Sequence, residues 1–175
     1  MKIPCSIVTL FVVSLMAIEV FAQGLPKPGP EYDVFKHDVG TWDVEVKTSQ
    51  GPATKGKETN RMLGGFWMLT DFEGKLMGLD FKGHGVYGYD AEKKQYVGTW
   101  MDSLSATKMD MVGKYDKTHH TMTYEGTAPG PDGKPTKNVF VTKYNDDGTR
   151  VMTMHMQAGD TMVKVFEMSY TKAKK

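Results

Sequence analysis

The sequence predicts an all-β chain closed as a single antiparallel up-and-down β-barrel of about ten strands, with one short helix at its N-terminal side. Three observations carry this. Apolar and polar residues alternate with a period of two, as in Trp42, Val44 and Val46 against Asp43, Glu45 and Lys47. Turn signals recur about every 8–12 residues, the spacing of all-β sandwiches and barrels. Tyr-Asp pairs close successive strands at Tyr89-Asp90 and Tyr115-Asp116, each Asp placed to bond its own backbone in the turn. A barrel is preferred to a sandwich because closure leaves no exposed sheet edge.

The first 22 residues stand apart. Lys2 supplies a positive start, Ile7 to Ile18 an apolar run too short to span a bilayer, and Val20-Phe21-Ala22 the small residues of a cleavage site. A secretory signal cut after Ala22 is expected, with export to the periplasm or beyond and no membrane span afterwards. Residues 23–30, with Pro26, Pro28 and Pro30, read as an extended leader, and residues 31–172 as one barrel domain. Glu31 to Val39 places Tyr32, Phe35 and Val39 at helical spacing, a short lid or plug.

The strands follow in order. Gly40 to Lys47 alternates cleanly, Thr54 to Leu63 returns as a largely polar strand, and Phe66 to Glu73 is apolar on both parities at its start. Asp80 to Asp90 carries Phe81, Gly83, Gly85, Tyr87 and Tyr89 on one face, glycines that point to a strongly curled sheet. The strand restarting at Tyr96, then Ala106 to Tyr115, His119 to Gly126, Asn138 to Tyr144, Arg150 to Gln157 and Met162 to Thr171, complete the set.

The only cysteine, Cys5, precedes the cleavage point, so a mature chain holds no disulfide, thiolate metal site or thiol nucleophile. A formal net charge of +1 gives no footprint for nucleic acid. None of Ser49, Ser103, Ser105 and Ser169 sits in a nucleophile elbow, and no zincin, Walker or Rossmann segment occurs.

Four stretches carry a resemblance: Gly40 to Val46, which opens Gly-Thr-Trp, Glu58 to Gly65, Gly83 to Asp90 and Tyr96 to Ser103. Together they resemble domain-of-unknown-function family 1579, bacterial proteins grouped with the calycins, over roughly Pro28 to Thr171. The resemblance implies a calycin barrel, akin to lipocalin, fatty-acid-binding and nitrobindin-like proteins, and no established activity. Calycins often set a basic side chain across the Trp of the opening motif. The last strand has no Arg, which leaves Arg61, Arg150 or Lys164 for that place. Related lipid-binding barrels hold a ligand carboxylate with an inward Arg, so at least one of Arg61 and Arg150 is expected to face the lumen. Nitrobindin-like calycins bind haem through a barrel histidine. No local motif here matches theirs, and haem stays an analogy resting on His84 or His155.

The candidate ligand wall is therefore Arg61, Trp67, Tyr87, Trp100, Met109, Met111, Arg150 and His155, with Trp42 a core aromatic. Fourteen methionines are unusual, and Met109 with Met111, like Met152, Met154 and Met156, share a strand face. Flexible thioethers suit either core filling or a pocket for varied apolar ligands. A copper site at Met152 to Met156 fails, since His155 faces away from the three methionines on a strand. His119 and His120 read as a solvated pair.

The leading function is binding of a small apolar or amphipathic molecule in the lumen, with no metal. The competing readings are a structural or interaction protein with a self-filled barrel and, third, a hydrolase or isomerase built on lumen carboxylates such as Asp71 and Asp110. A lumen of about 300 Å³ or more separates the first from the second.

Overall fold

The computed structural model describes residues 26–49, 51–76 and 78–174. The expected signal segment lies outside the described residues. Ten strands form one closed sheet: β1 (Gly40–Thr48), β2 (Thr54–Leu63), β3 (Trp67–Leu76), β4 (Leu79–Asp90), β5 (Gln95–Asp102), β6 (Met109–Asp116), β7 (Thr121–Pro129), β8 (Pro135–Tyr144), β9 (Arg150–Ala158) and β10 (Thr161–Lys172). Each pairs antiparallel with its sequence neighbours, and β1 pairs with β10 to shut the ring. The predicted up-and-down barrel is the observed one.

Hairpin chemistry sets the turns. Asp90 Oδ1 accepts from the backbone N–H groups of Glu92 and Lys93, at 3.1 and 3.0 Å, and Asp116 Oδ1 does the same for Thr118 and His119, at 2.9 and 3.1 Å. One expected strand starts late. The stretch before Met109 curls instead, because Asp102 Oδ1 takes the Leu104 N–H at 2.9 Å and the Ser105 hydroxyl donates to the Thr107 carbonyl at 3.0 Å.

The predicted helix is a 3-10 helix over Pro30–His37, opened by Pro30 where a missing N–H costs nothing. Its three-residue turn puts Tyr32 and Phe35 on one face and ends before Val39, which is exposed instead of buried. Eight residues is long for this geometry. Barrel contacts hold it: the Tyr32 hydroxyl donates to the Tyr89 carbonyl at 3.1 Å and the Tyr96 hydroxyl to the Glu31 carbonyl at 2.9 Å. Val34 and Phe35 are buried against Met68, Tyr96, Met111 and Tyr124, so the helix stops one end of the barrel.

The strand glycines have a reason besides curvature. A Cβ at Gly83 would run into the Trp100 ring, and one at Gly98 would lie 2.6 Å from Tyr87 Cδ1. Large rings lie flat on the wall where these strands lack side chains.

Candidate functional site

The stopped end is a polar floor built on Asp38, the residue that caps the 3-10 helix. Arg150, from the start of β9, points inward and is 3% exposed. Its two terminal nitrogens donate to Asp38 Oδ1 and Glu58 Oε1. Tyr144 donates to Asp38 Oδ2 at 2.8 Å, and the Asp38 carbonyl accepts from Trp42 Nε1 at 2.7 Å and Asn60 Nδ2 at 3.1 Å. Asn60 also donates to Glu58 Oε1 at 2.7 Å and accepts from Thr70 at 2.6 Å. The guanidinium lies between two rings, 4.4 Å from the Trp42 centroid and 4.2 Å from that of Tyr170.

The electrostatics follow from burial. Desolvation of Glu58 outweighs the attraction of Arg150 and holds its carboxyl above the usual range. Burial works against the charge on Arg150, but the carboxylates of Asp38 and Glu58 together outweigh it and hold the guanidinium above its ordinary value. Burial raises the phenols of Tyr87, Tyr124, Tyr144 and Tyr170, all of which are O–H donors at neutral pH.

Above this floor lies a cavity of about 710 Å³, reaching from Arg150 and Asp38 to the loop residues Leu104 to Thr107 at the opposite end. Eight methionines among the described residues line it: Met68, Met109, Met111, Met122, Met152, Met154, Met156 and Met168. Tyr87, Trp100, Tyr124, Phe140 and Phe166 add rings to the same wall. Apolar side chains stand exposed at the far end of the barrel, Leu79 at the start of β4 and Leu104 in the loop after β5.

The chain matches, over residues 27–172, the profile of a family described as a protein of unknown function, DUF1579. The chain belongs to the DUF1579 family. Among solved structures, the crystal structure of Rv2717c from M. tuberculosis superposes with a TM-score of 0.59 at 9% identity, covering 85% of this chain and 100% of that one. That likeness shows the fold alone. No curated protein matches the sequence.

In this DUF1579 barrel, Tyr87, Trp100, Met109, Met111 and Arg150, of the candidate wall, line the cavity. Three other candidates do not. Arg61, Trp67 and His155 stand on the outer wall, because Glu58 and Asn60 on β2, Met68 and Thr70 on β3, and Met154 and Met156 on β9 take the inward parity. Trp67 is 42% exposed and packs over Gly88 instead of facing a ligand. Arg150, reaching from β9 past Tyr170 of β10, takes the place opposite Trp42. Lys164 bonds Glu167 on the exposed face of β10.

The carboxylates named for catalysis also face out. Asp71 bonds His84 at 2.7 Å, and Asp110 bonds Thr99 at 2.7 Å and Lys108, all exposed. The third reading therefore loses both of its residues. Among the described residues, the lumen carboxylates are Asp38, Glu58 and Asp102.

Haem is tested by the same wall. His84 and His155 face outward, His119 and His120 lie at the β6–β7 turn, His37 is exposed on the helix, and no histidine lines the cavity. The residues present do not fit a histidine-held haem.

Sequence reasoning missed Asp38, Glu58, Asn60, Thr70, Tyr144 and Tyr170. One signal was available. β2 alternates polar with polar, so whichever parity faced inward would bury polar groups that need partners.

Proposed function

We propose that this protein is an exported binding barrel that holds a small apolar or amphipathic molecule in its lumen without covalent chemistry. The cavity carries the reading. At about 710 Å³ it falls within the range of small-molecule sites, roughly 300–1,000 Å³, and its wall is mostly apolar with polar groups toward its two ends. A self-filled barrel would not leave that space. Eight thioethers make the wall adaptable, which suits a ligand of variable shape better than one rigid shape.

Native mass spectrometry of protein exported from a bacterial host tests both parts. Removal of 22 of the 175 residues leaves 153, whose mass is expected after export. Extra mass that disappears on denaturation supports the ligand and reports its class. A bare chain that stays bare after incubation with fatty alcohols, fatty acids and haemin overturns the binding reading in favour of a structural or interaction role.

A further inference from the structure

One lumen side chain is held in place with an oxygen to spare. Asn138, on the inward face of β8, lines the cavity and is 5% exposed. Its Nδ2 donates to the Thr136 carbonyl at 3.1 Å and to the Met109 sulfur at 3.9 Å, so both amide hydrogens are used. Turning the amide over would set its oxygen against the Thr136 carbonyl, and these two contacts therefore fix its orientation. Oδ1 accepts no hydrogen bond from the described residues, yet unlike the enclosed Tyr124 hydroxyl it keeps accessible surface. A nearly buried oxygen on the cavity wall takes its partner from inside the cavity.

A carbonyl oxygen only accepts, so that partner is a donor. Tyr87 and Thr142 also line the cavity, and their hydroxyls make no hydrogen bond to the described residues. A hydroxyl turns to suit either a donor or an acceptor. Of the three, Asn138 sets the requirement.

Charge decides which donor. Asp38, Glu58 and Asp102 line the cavity against one cation, Arg150, and no lysine or histidine among the described residues joins it. The terminal nitrogens of Arg150 hold Asp38 and Glu58, and rings cover both its faces. Asp102, toward the other end, accepts from Trp100 Nε1 at 3.1 Å and from the Leu104 N–H at 2.9 Å. A ligand carboxylate would find no free guanidinium and would set one more acceptor against the Asn138 oxygen. A ligand ammonium would leave water for a methionine wall whose carboxylates are already engaged, and an unpaired buried charge is costly.

We propose that the lumen takes an uncharged amphipathic molecule with a hydroxyl or amide N–H group on an apolar chain, which donates to Asn138 Oδ1 while the chain lies along the methionine wall. This rests on the binding reading above and narrows it.

The test displaces a neutral naphthylamine dye from the purified protein at neutral pH with decanol, the isomeric ether methoxynonane, decanoate and decylamine. The ether keeps the oxygen and the carbon count of decanol but cannot donate. The ratio of decanol to ether affinity is expected to fall roughly threefold to tenfold in Asn138→Leu, the contribution of one net hydrogen bond, while dye and ether still bind. In Thr142→Val the ratio is expected to match that of the wild type. Decanoate and decylamine are expected to compete more weakly than decanol. Should Asn138→Leu not fold, Asn138→Ala is read in the same way. If the wild type binds neither dye nor ether, the binding reading itself fails. If both bind but the ratio is unchanged in the Asn138 variant, water alone serves Oδ1. That result, a ratio that falls in Thr142→Val instead, or a charged analogue that equals decanol leaves the binding reading standing and overturns this inference.

Discussion

Arg150 lies across the ring of Trp42, its guanidinium carbon 4.4 Å from the ring centroid, although the two residues start strands far apart in the chain. The contact couples the opening of β1 to the opening of β9 and, through Asp38, both to the end of the 3-10 helix.

Replacing Arg150 is therefore expected to cost more than a packing defect. Arg150→Met leaves Asp38 and Glu58 buried without their cation, a loss of about 3–5 kcal/mol. Arg150→Lys keeps the charge but not the two-pronged bond or the stacking, and loses less. Urea unfolding of the two variants checks the order, and equal losses would show that charge is not the deciding quantity.

Glu58 makes stability depend on pH. Its carboxyl is raised above the ordinary value of 4.5 in the folded chain, so the folded state binds the proton more tightly than the unfolded one. That contribution is fully present below the ordinary value and is lost as pH rises through the raised one. Glu58→Gln cannot ionise, and its stability relative to the parent is expected to improve on going from a pH below the ordinary value of 4.5 to one well above it. Melting temperatures of both proteins at the two pH values test this, and a constant difference would refute it.

The flat-lying rings predict the outcome of filling their seats. Gly83→Val puts a branched side chain where the Trp100 ring lies, so the ring must swing into the lumen. A loss of about 1–3 kcal/mol is expected, with a shift in tryptophan fluorescence and weaker dye binding. Gly51→Ala, at an exposed turn with open space around it but a φ of +92°, is expected to cost stability without touching dye binding.

The outer wall supplies controls. Arg61→Ala and His155→Ala are expected to change stability by less than about 0.5 kcal/mol. Dye affinity and any response to haemin should equal those of the parent. A loss of dye binding in either variant would place those side chains at the site after all.

Much of the barrel was legible in the residues, and for a local reason. A strand needs only a period of two and a turn at each end, and the bounds Thr54–Leu63 can be read directly from β2. The same period places Met152, Met154 and Met156 together on the lumen wall with His155 behind them. Helix type was less legible, since the anchors that hold a long 3-10 turn, Tyr89 and Tyr96, come from β4 and β5.

By itself, the sequence determined the strand count, the order of hairpins and the methionine-rich composition of the wall, because each follows from spacing between neighbours in the chain. Tertiary structure alone decided the facing of strands whose alternation carries no sign. On β2, Glu58 and Asn60 alternate with Thr59 and Arg61, polar against polar, and at the start of β3 Trp67 and Met68 are both apolar. It also decided which buried groups are satisfied. Arg150 finds Asp38 and Glu58 from three separate segments, and Tyr124 finds nothing, because hydrogen-bond partners across a closed barrel are set by the ring of strands and not by distance along the chain.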